Sequence, residues 1–230
     1  ISKFLYKEAV SLGIQKEKAF VIPLGVPIKQ NRIKDTNTKE FKILSVGRLT
    51  PVKNHEFLIR SFKIFNELNP ESSLTIVGGG EQEGFLIDLI ENLDLIEKVN
   101  LTGSLPYTEV EKKINECSVF CLMSKKVKYN HSLQEEGLGI SLLEASSFKK
   151  PLIGAKSGGI PEIIEQGVNG FLVEQDDING LVNSLEKLYK NPLLRKEMGG
   201  NAHLKSVKEF DQEIRIQEFI KVYKDICNDI

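Results

Sequence analysis

Tryptophan is absent from the 230 residues, and methionine, cysteine and histidine occur only two, three and three times. The three cysteines, Cys117, Cys121 and Cys227, have neither the even count of a disulfide framework nor the spacing of a zinc site. Cys117 and Cys121 flank an apolar stretch where buried thiols are ordinary packing, and all three suit a reducing compartment. No Asp-X-Asp pair is present to hold a divalent cation between phosphates, so the expectation is no metal site. No apolar run approaches the roughly 20 residues of a membrane span, and no basic start with an apolar middle marks a signal peptide, so a cytoplasmic chain is expected. The formal charge of -1 gives no global attraction to nucleic acid or to an anionic membrane. Any phosphate recognition must therefore be local, and nucleic acid is not an expected partner.

What is present is enough chain for one full core. It begins at Ile1 rather than Met, already in an amphipathic stretch, so a fragment of a longer protein is expected. Phe4 to Leu12 repeats apolar residues at helical spacing and stops at Gly13. Ala19 to Pro27 reads as a short strand running into a turn, and Lys29 to Glu40, polar and almost free of apolar residues, as a linker. From Phe41 onward strands and helices alternate, which implies parallel strands with covering helices. Strands are expected at 41–46, 73–77, 99–102, 119–123, 151–155 and 170–173. Helices are expected at 54–69, 81–93, 107–117, 141–148 and after Gly159, then at 178–189, 192–207 and 211–227. The stretch from Ser124 to Glu136 reads as one long loop carrying Lys125, Lys126, Lys128 and His131, and loops of that length are usually functional or mobile. The fold class is thus α/β, a Rossmann-like open parallel sheet of about six strands with helices on both faces.

In such sheets ligands bind beyond the carboxyl ends of the strands, and here nearly every one of those ends carries glycine. Gly47-Arg48 follows the first strand, Gly78-Gly79-Gly80 the second, Gly103-Ser104 the third, and Gly158-Gly159 the fifth. Arg48 and Lys53 bracket a turn at the start of a helix, where backbone N–H groups and the helix dipole already favour an anion. A planar arginine fork and a mobile lysine charge together suit a diphosphate, although either alone would be an ordinary solvated charge. The glycine triplet lacks the G-x-G-x-x-G spacing of a dinucleotide fingerprint and would serve equally as a tight turn.

Glu136 and Glu144 are separated by seven residues, Gly137-Leu138-Gly139 and then the helical Ile140-Ser141-Leu142-Leu143. Were the whole stretch helical the carboxylates would lie roughly 12 Å apart, beyond the roughly 5 to 9.5 Å of a glycosidase acid/base pair. Two acids at the ends of one elongated ligand fit better. Apolar neighbours place Glu144 close to a buried face, where a carboxylate needs a partner such as a ribose hydroxyl. His131 is read as solvated rather than catalytic, and His55 and His203 as structural.

Together these motifs resemble the C-terminal, donor-binding domain of a retaining GT-B glycosyltransferase of the group 1 type, over Phe41 to about Glu209. The resemblance rests on Val46-Gly47-Arg48-Leu49 with Lys53, Val77 to Gly80, Thr102-Gly103, Glu136 to Ile140 through Leu143-Glu144-Ala145, and Gly158 to Glu162, all in the family's order. It implies a nucleoside-diphosphate sugar as donor substrate, no cofactor and no metal. Arg48 and Lys53 match the pair that neutralises the diphosphate, Glu144 the ribose anchor, and Glu136 the acid at the transferred sugar. Gly47, Gly79 and the backbone of Gly137, Leu138 and Gly139 line the donor, and Ser104 and Leu105 mark where the base packs. The catalytic set implied is Glu136, Arg48 and Lys53.

The resemblance also implies a division of the chain. Residues 1–40 would be a remnant of an N-terminal domain and its linker, 41–210 the nucleotide-sugar domain, and 211–230 a helix returning to the missing domain. Leu24 stands where the family has an asparagine in the crossover. The acceptor, a glycan or lipid-linked saccharide in polysaccharide biosynthesis, would meet the missing domain, and the complete enzyme would associate peripherally with the inner face of the membrane. The fragment alone is expected to bind donor without transferring it. A GT-B sugar-nucleotide epimerase and a non-catalytic nucleotide-binding module are the alternatives. The epimerase is disfavoured because it needs its own acid/base set in place of the Glu136 and Glu144 pattern.

Overall fold

The computed structural model describes residues 1–28, 40–129 and 132–228. After α1 (Lys3–Ser11) the chain enters β1 (Phe41–Val46), α2 (His55–Leu68), β2 (Ser72–Val77), α3 (Glu83–Asn92), β3 (Val99–Leu101), α4 (Tyr107–Glu116) and β4 (Val119–Leu122). A hairpin of β5 (Val127–Tyr129) and β6 (Ser132–Gln134) precedes α5 (Ile140–Ser147), β7 (Leu152–Ala155), α6 (Ile160–Ile163) and β8 (Gly170–Val173). Then come α7 (Ile178–Lys190), α8 (Pro192–Glu209) and α9 (Gln212–Asn228).

The six parallel strands run in the order β3-β2-β1-β4-β7-β8, with helices on both faces, as the alternation of elements implied. Successive strand residues face opposite sides, so neighbouring apolar residues feed two different cores. Ile43, Val119 and Cys121 join Phe62, Phe65 of α2 and Leu185 of α7 on one face. Leu44, Phe120 and Leu122 join Ile114 of α4, Leu142 and Leu143 of α5 and Ala202 of α8 on the other. All four residues of β4 are buried, which is why its sequence has no polar alternation. The thiols of Cys117 and Cys121 are buried, and burial pushes Cys117 up to about 11.

Two expectations are corrected. The stretch Ala19 to Ile22 is not a strand: Lys16–Lys18 forms a single 3-10 turn, and only Val26 pairs, by one bridge to Asp211 at the start of α9. Among the described residues no neighbouring strand receives this backbone, and Pro23 and Pro27 lack the amide N–H a ladder needs. The supposed loop after β4 is an antiparallel hairpin with Val127 opposite Gln134, Lys128 opposite Leu133 and Tyr129 opposite Ser132. Strands of three residues are too short for alternation in the sequence to separate them from a loop. The linker reading at 29–39 and the reading of His131 fall outside the described residues.

Candidate functional site

The sheet order reverses direction at β1, which has β2 on one side and β4 on the other. In open α/β sheets ligands bind at such a switch point, beyond the carboxyl ends of the strands, here those of β1 and β4. The turn after β1 is built by Leu49, fully buried beneath it, and by Pro51–Lys53, a 3-10 turn that ends in Asn54 with φ +52° before α2 begins. Asn54 tolerates that left-handed conformation better than most residues, and its side chain donates to Asp176 at 3.1 Å.

The turns after β1 and β2 interlock. The Gly47 amide donates to Val77 O and the Leu49 amide to Gly79 O, each at 3.0 Å, while Gln82 N reaches Leu49 O at 3.1 Å. Gly78 has φ +147°, and a Cβ there would lie 2.0 Å from the carbonyl oxygen of Gly47. Close approach of two backbones is therefore the reason for glycine at this position. The same network brings Gly79 against Ser104, whose Oγ would lie 3.1 Å from an added Cβ. The Gly78 amide also donates to Gly103 O at 2.9 Å, joining the third turn to the first two.

Lys53 and Glu136, 83 residues apart in sequence, meet at this switch point with Nζ 2.5 Å from Oε2. The hydroxyl of Ser124, just past β4 and fully buried, donates to the same oxygen at 2.8 Å. Both charged side chains are largely buried, 19% and 12% exposed. Arg48 is exposed, and its guanidinium has no hydrogen bond or ion pair among the described residues. The structure thus brings Lys53 and Glu136 together and leaves Arg48 available at the rim.

His55, read from sequence as structural, begins α2 directly behind this turn and is fully buried. Its ring nitrogens lie beside the backbone of Gly47 and Arg48 but neither reaches hydrogen-bonding geometry. Burial, with the Lys53 charge adding to it, lowers its pKa to about 4 despite those backbone neighbours.

The segment between the two acids is held from two sides. The Gly159 amide donates to Glu136 O at 2.9 Å, and Gly158, at φ +52°, sits so close that a Cβ would be 1.8 Å from that carbonyl oxygen. From the other side Ser2 at the cap of α1 donates to Gly137 O at 2.6 Å. Leu138 is buried, and Gly139, at φ +96°, is the residue on which α5 starts. In that first turn the Leu142 amide donates to Gly139 O at 2.9 Å, whereas the amides of Ile140 and Ser141 have no acceptor within the helix.

Glu144 lies on α5, half-buried, with no hydrogen-bond or ion-pair partner among the described residues. Burial first, and then the carboxylate of Glu111 on α4, raise its pKa. Tyr107, which bonds to Glu111, is pushed up to about 12 by burial and by both acids. Leu105 packs partly buried on the core beneath α4 and α5.

Several neighbours escaped the sequence reading: Ser124, Glu135, Asp176, Tyr107 and Glu111. Glu135 had a signal, because it precedes Glu136, yet its carboxylate turns the other way. It accepts from the Gly158 amide at 2.6 Å and the Ser157 hydroxyl at 3.1 Å. Nothing in the sequence paired Glu111 with Glu144. Among the described residues no group of three or more His, Cys, Asp or Glu side chains converges as a metal site, and no helix is long and apolar enough to cross a membrane.

The family model "Glycosyl transferases group 1" matches residues 28–205. An uncharacterized glycosyltransferase of Haemophilus influenzae is 32% identical over 186 residues, covering 80% of this chain and 48% of that protein. The amylovoran biosynthesis glycosyltransferase AmsK of Erwinia amylovora is 29% identical over 229 residues, covering 99% of this chain and 56% of that protein. The chain therefore spans about half the length of the curated relatives it matches. Among solved structures, Anabaena Alr3699/HepE in complex with UDP and glucose superposes with a TM-score of 0.83 at 21% identity, over 97% of this chain and 61% of that one. At that identity the likeness shows the fold.

Proposed function

Because the chain belongs to the glycosyl transferases group 1 family, we propose that it binds a nucleoside-diphosphate sugar at the switch point between β1 and β4. In the complete protein, the glycosyl group then passes with retention to an acceptor hydroxyl of a glycan or lipid-linked saccharide. The observation that carries this reading is the Lys53–Glu136 pair at the switch point, flanked by an exposed Arg48 and an unpartnered Glu144.

Each group has a task that its surroundings support. Arg48 and Lys53, with the amides at the start of α2, take the diphosphate, and they stabilise its growing charge as the bond to the sugar breaks. Lys53 is already oriented by Glu136, so it enters the ligand complex with little freedom left to lose. Glu136 faces the sugar end, next to the backbone of Gly137 to Gly139. Glu144 accepts from ribose hydroxyls, which supply the partner that its half-buried position lacks. Gly79, Ser104 and Leu105 form the floor and the base end. No metal takes part in this reading, since two cations and a helix terminus supply the positive charge. The complex of HepE with UDP and glucose supports the choice of ligand class.

In the same reading, residues 1–40 and 211–230 belong with the remainder of the complete protein and 41–210 form the donor domain, so this chain binds donor without transferring it. The complete protein works in the cytoplasm, peripherally at the membrane, in polysaccharide synthesis, as the name of the Erwinia relative supports.

Calorimetry with UDP, GDP and ADP tests the site. One nucleoside diphosphate should bind, and Arg48→Ala should bind it about 10- to 100-fold more weakly, the worth of charge-assisted hydrogen bonds. Glu144→Ala should also weaken it. Absence of binding by all three nucleotides, or variants that bind like the native chain, would reject the assignment.

A further inference from the structure

The hairpin that replaces the expected loop after β4 has no part in the donor site beyond what Ser124 and Glu136 do at its two ends. It stands across a cleft from α1. Phe4, Leu5 and Glu8 form one wall, and Lys126, Leu133, Gln134 and Glu135 the other, around a cavity of about 320 Å³. Both walls are tied to the segment that carries Glu136. On the α1 side, Ser2 bonds Gly137 O, Leu5 packs against Gly137, and Glu162 accepts from the Lys3 and Phe4 amides at 2.9 and 2.8 Å. On the hairpin side, Glu135 is held by Ser157 and Gly158, and the Lys126 amide donates to Gln175 at 3.0 Å. The gap is thus bounded by two anchored elements.

Its size and chemistry narrow the occupant. A volume near the low end of ligand pockets, which run from about 300 to 1,000 Å³, holds one ring rather than a whole sugar nucleotide. Among the described residues two carboxylates and one ammonium line it, and that ammonium, Lys126, already lies 3.6 Å from Glu135, so an anion is disfavoured. The side chains of Glu8 and Gln134 make no protein hydrogen bond among the described residues; the Glu8 carboxylate can accept from a hydroxyl, and the Gln134 amide can both donate to one and accept from one. Phe4, Leu5 and Leu133, the last 69% exposed, supply an apolar surface beside them. A pyranose ring presents that combination, hydroxyls around its rim and an apolar C–H face.

We propose that the cleft between α1 and the β5–β6 hairpin is a saccharide subsite, one residue along the chain from Glu136, that holds a neutral sugar ring of the acceptor. The proposal rests on the donor-site reading for the word acceptor and on the cleft itself for the word saccharide.

The test is saturation-transfer NMR on this chain, without and with saturating UDP (GDP or ADP taking its place where calorimetry shows that nucleotide to bind), and a panel of methyl glycosides: glucoside, galactoside, mannoside and N-acetylglucosaminide. At least one glycoside should give signal with UDP present. Its affinity should fall about three- to tenfold in Gln134→Ala and in Glu8→Ala, the worth of one hydrogen bond each, with UDP affinity unchanged. No signal from any glycoside would overturn the proposal. So would a signal that UDP abolishes, which places the sugar in the donor site, or one that both variants leave untouched. The UDP titration reads the donor site and the glycoside titration reads the cleft, so failure of one is distinguishable from failure of the other.

Discussion

Lys53 and Glu136 are each other's ion-pair partner, and this shapes what substitution should do. On the proposed function a diphosphate shares Lys53 with Glu136, so Glu136→Gln would remove a competitor as well as the proposed sugar contact. Binding of bare UDP should stay equal or tighten, while the complete enzyme's transfer rate should fall sharply, separable by calorimetry and a single-turnover assay. Equal losses in both would reject the division of roles. His55 makes a second prediction. Its folded pKa, about 4, lies below the ordinary value of 6.5, so the unfolded state binds the extra proton between those limits. Its contribution is fully present above pH 6.5 and is lost as pH falls toward 4. By pH 5 roughly 2 kcal/mol should be gone, since each pKa unit is worth about 1.4 kcal/mol. Denaturant midpoints at pH 5 and 7.5 should therefore differ more for the native chain than for His55→Asn; parallel pH profiles would remove the assignment.

Between elements, the site is a set of turns pressed together. Gly78→Ala would force a Cβ to within 2.0 Å of Gly47 O, at a φ that L-residues rarely adopt. The turn after β1 must then shift, with a cost on the order of 1–3 kcal/mol in urea unfolding. Nucleotide affinity should drop with it, because Arg48 and Lys53 ride on that turn. Gly84→Ala, with open space around its Cβ, is the control and should change neither quantity by much. At the same scale, adding EDTA should leave nucleotide affinity unchanged if Arg48, Lys53 and the start of α2 carry the positive charge alone. A loss of binding would reveal a cation in the site.

Over the whole molecule, the segment ahead of β1 and the junction of α8 with α9 come side by side. Val26 bonds Phe210 O at 2.9 Å and receives the Gln212 amide at 3.2 Å, and Gly25 packs so tightly that a Cβ would meet Gln212 Cα at 2.5 Å. From that junction α9 runs on with Ile214, Ile216, Ile220, Tyr223 and Ile226 exposed. An apolar row of this kind on a helix is a liability in water. Replacing Ile216 and Ile220 by Lys should reduce self-association in sedimentation runs and leave UDP binding unchanged. Altered UDP binding would show that α9 communicates with the site.

The sequence by itself determined the parallel α/β architecture, because alternating apolar strands and amphipathic helices from Phe41 onward admit few other packings. It also determined that glycine collects at the ends of the strands, where glycine-rich turns press backbone against backbone, as at Gly78 and Gly47. The hairpin was not legible, because a short strand without its partner cannot be told from a loop. Only the tertiary structure decided that Lys53 reaches Glu136 across 83 residues, that Ser124 shares the same oxygen, and that Glu135 turns away to Gly158. Those contacts depend on β1, β4 and β7 lying side by side, and spacing along a chain carries no record of which strand is whose neighbour.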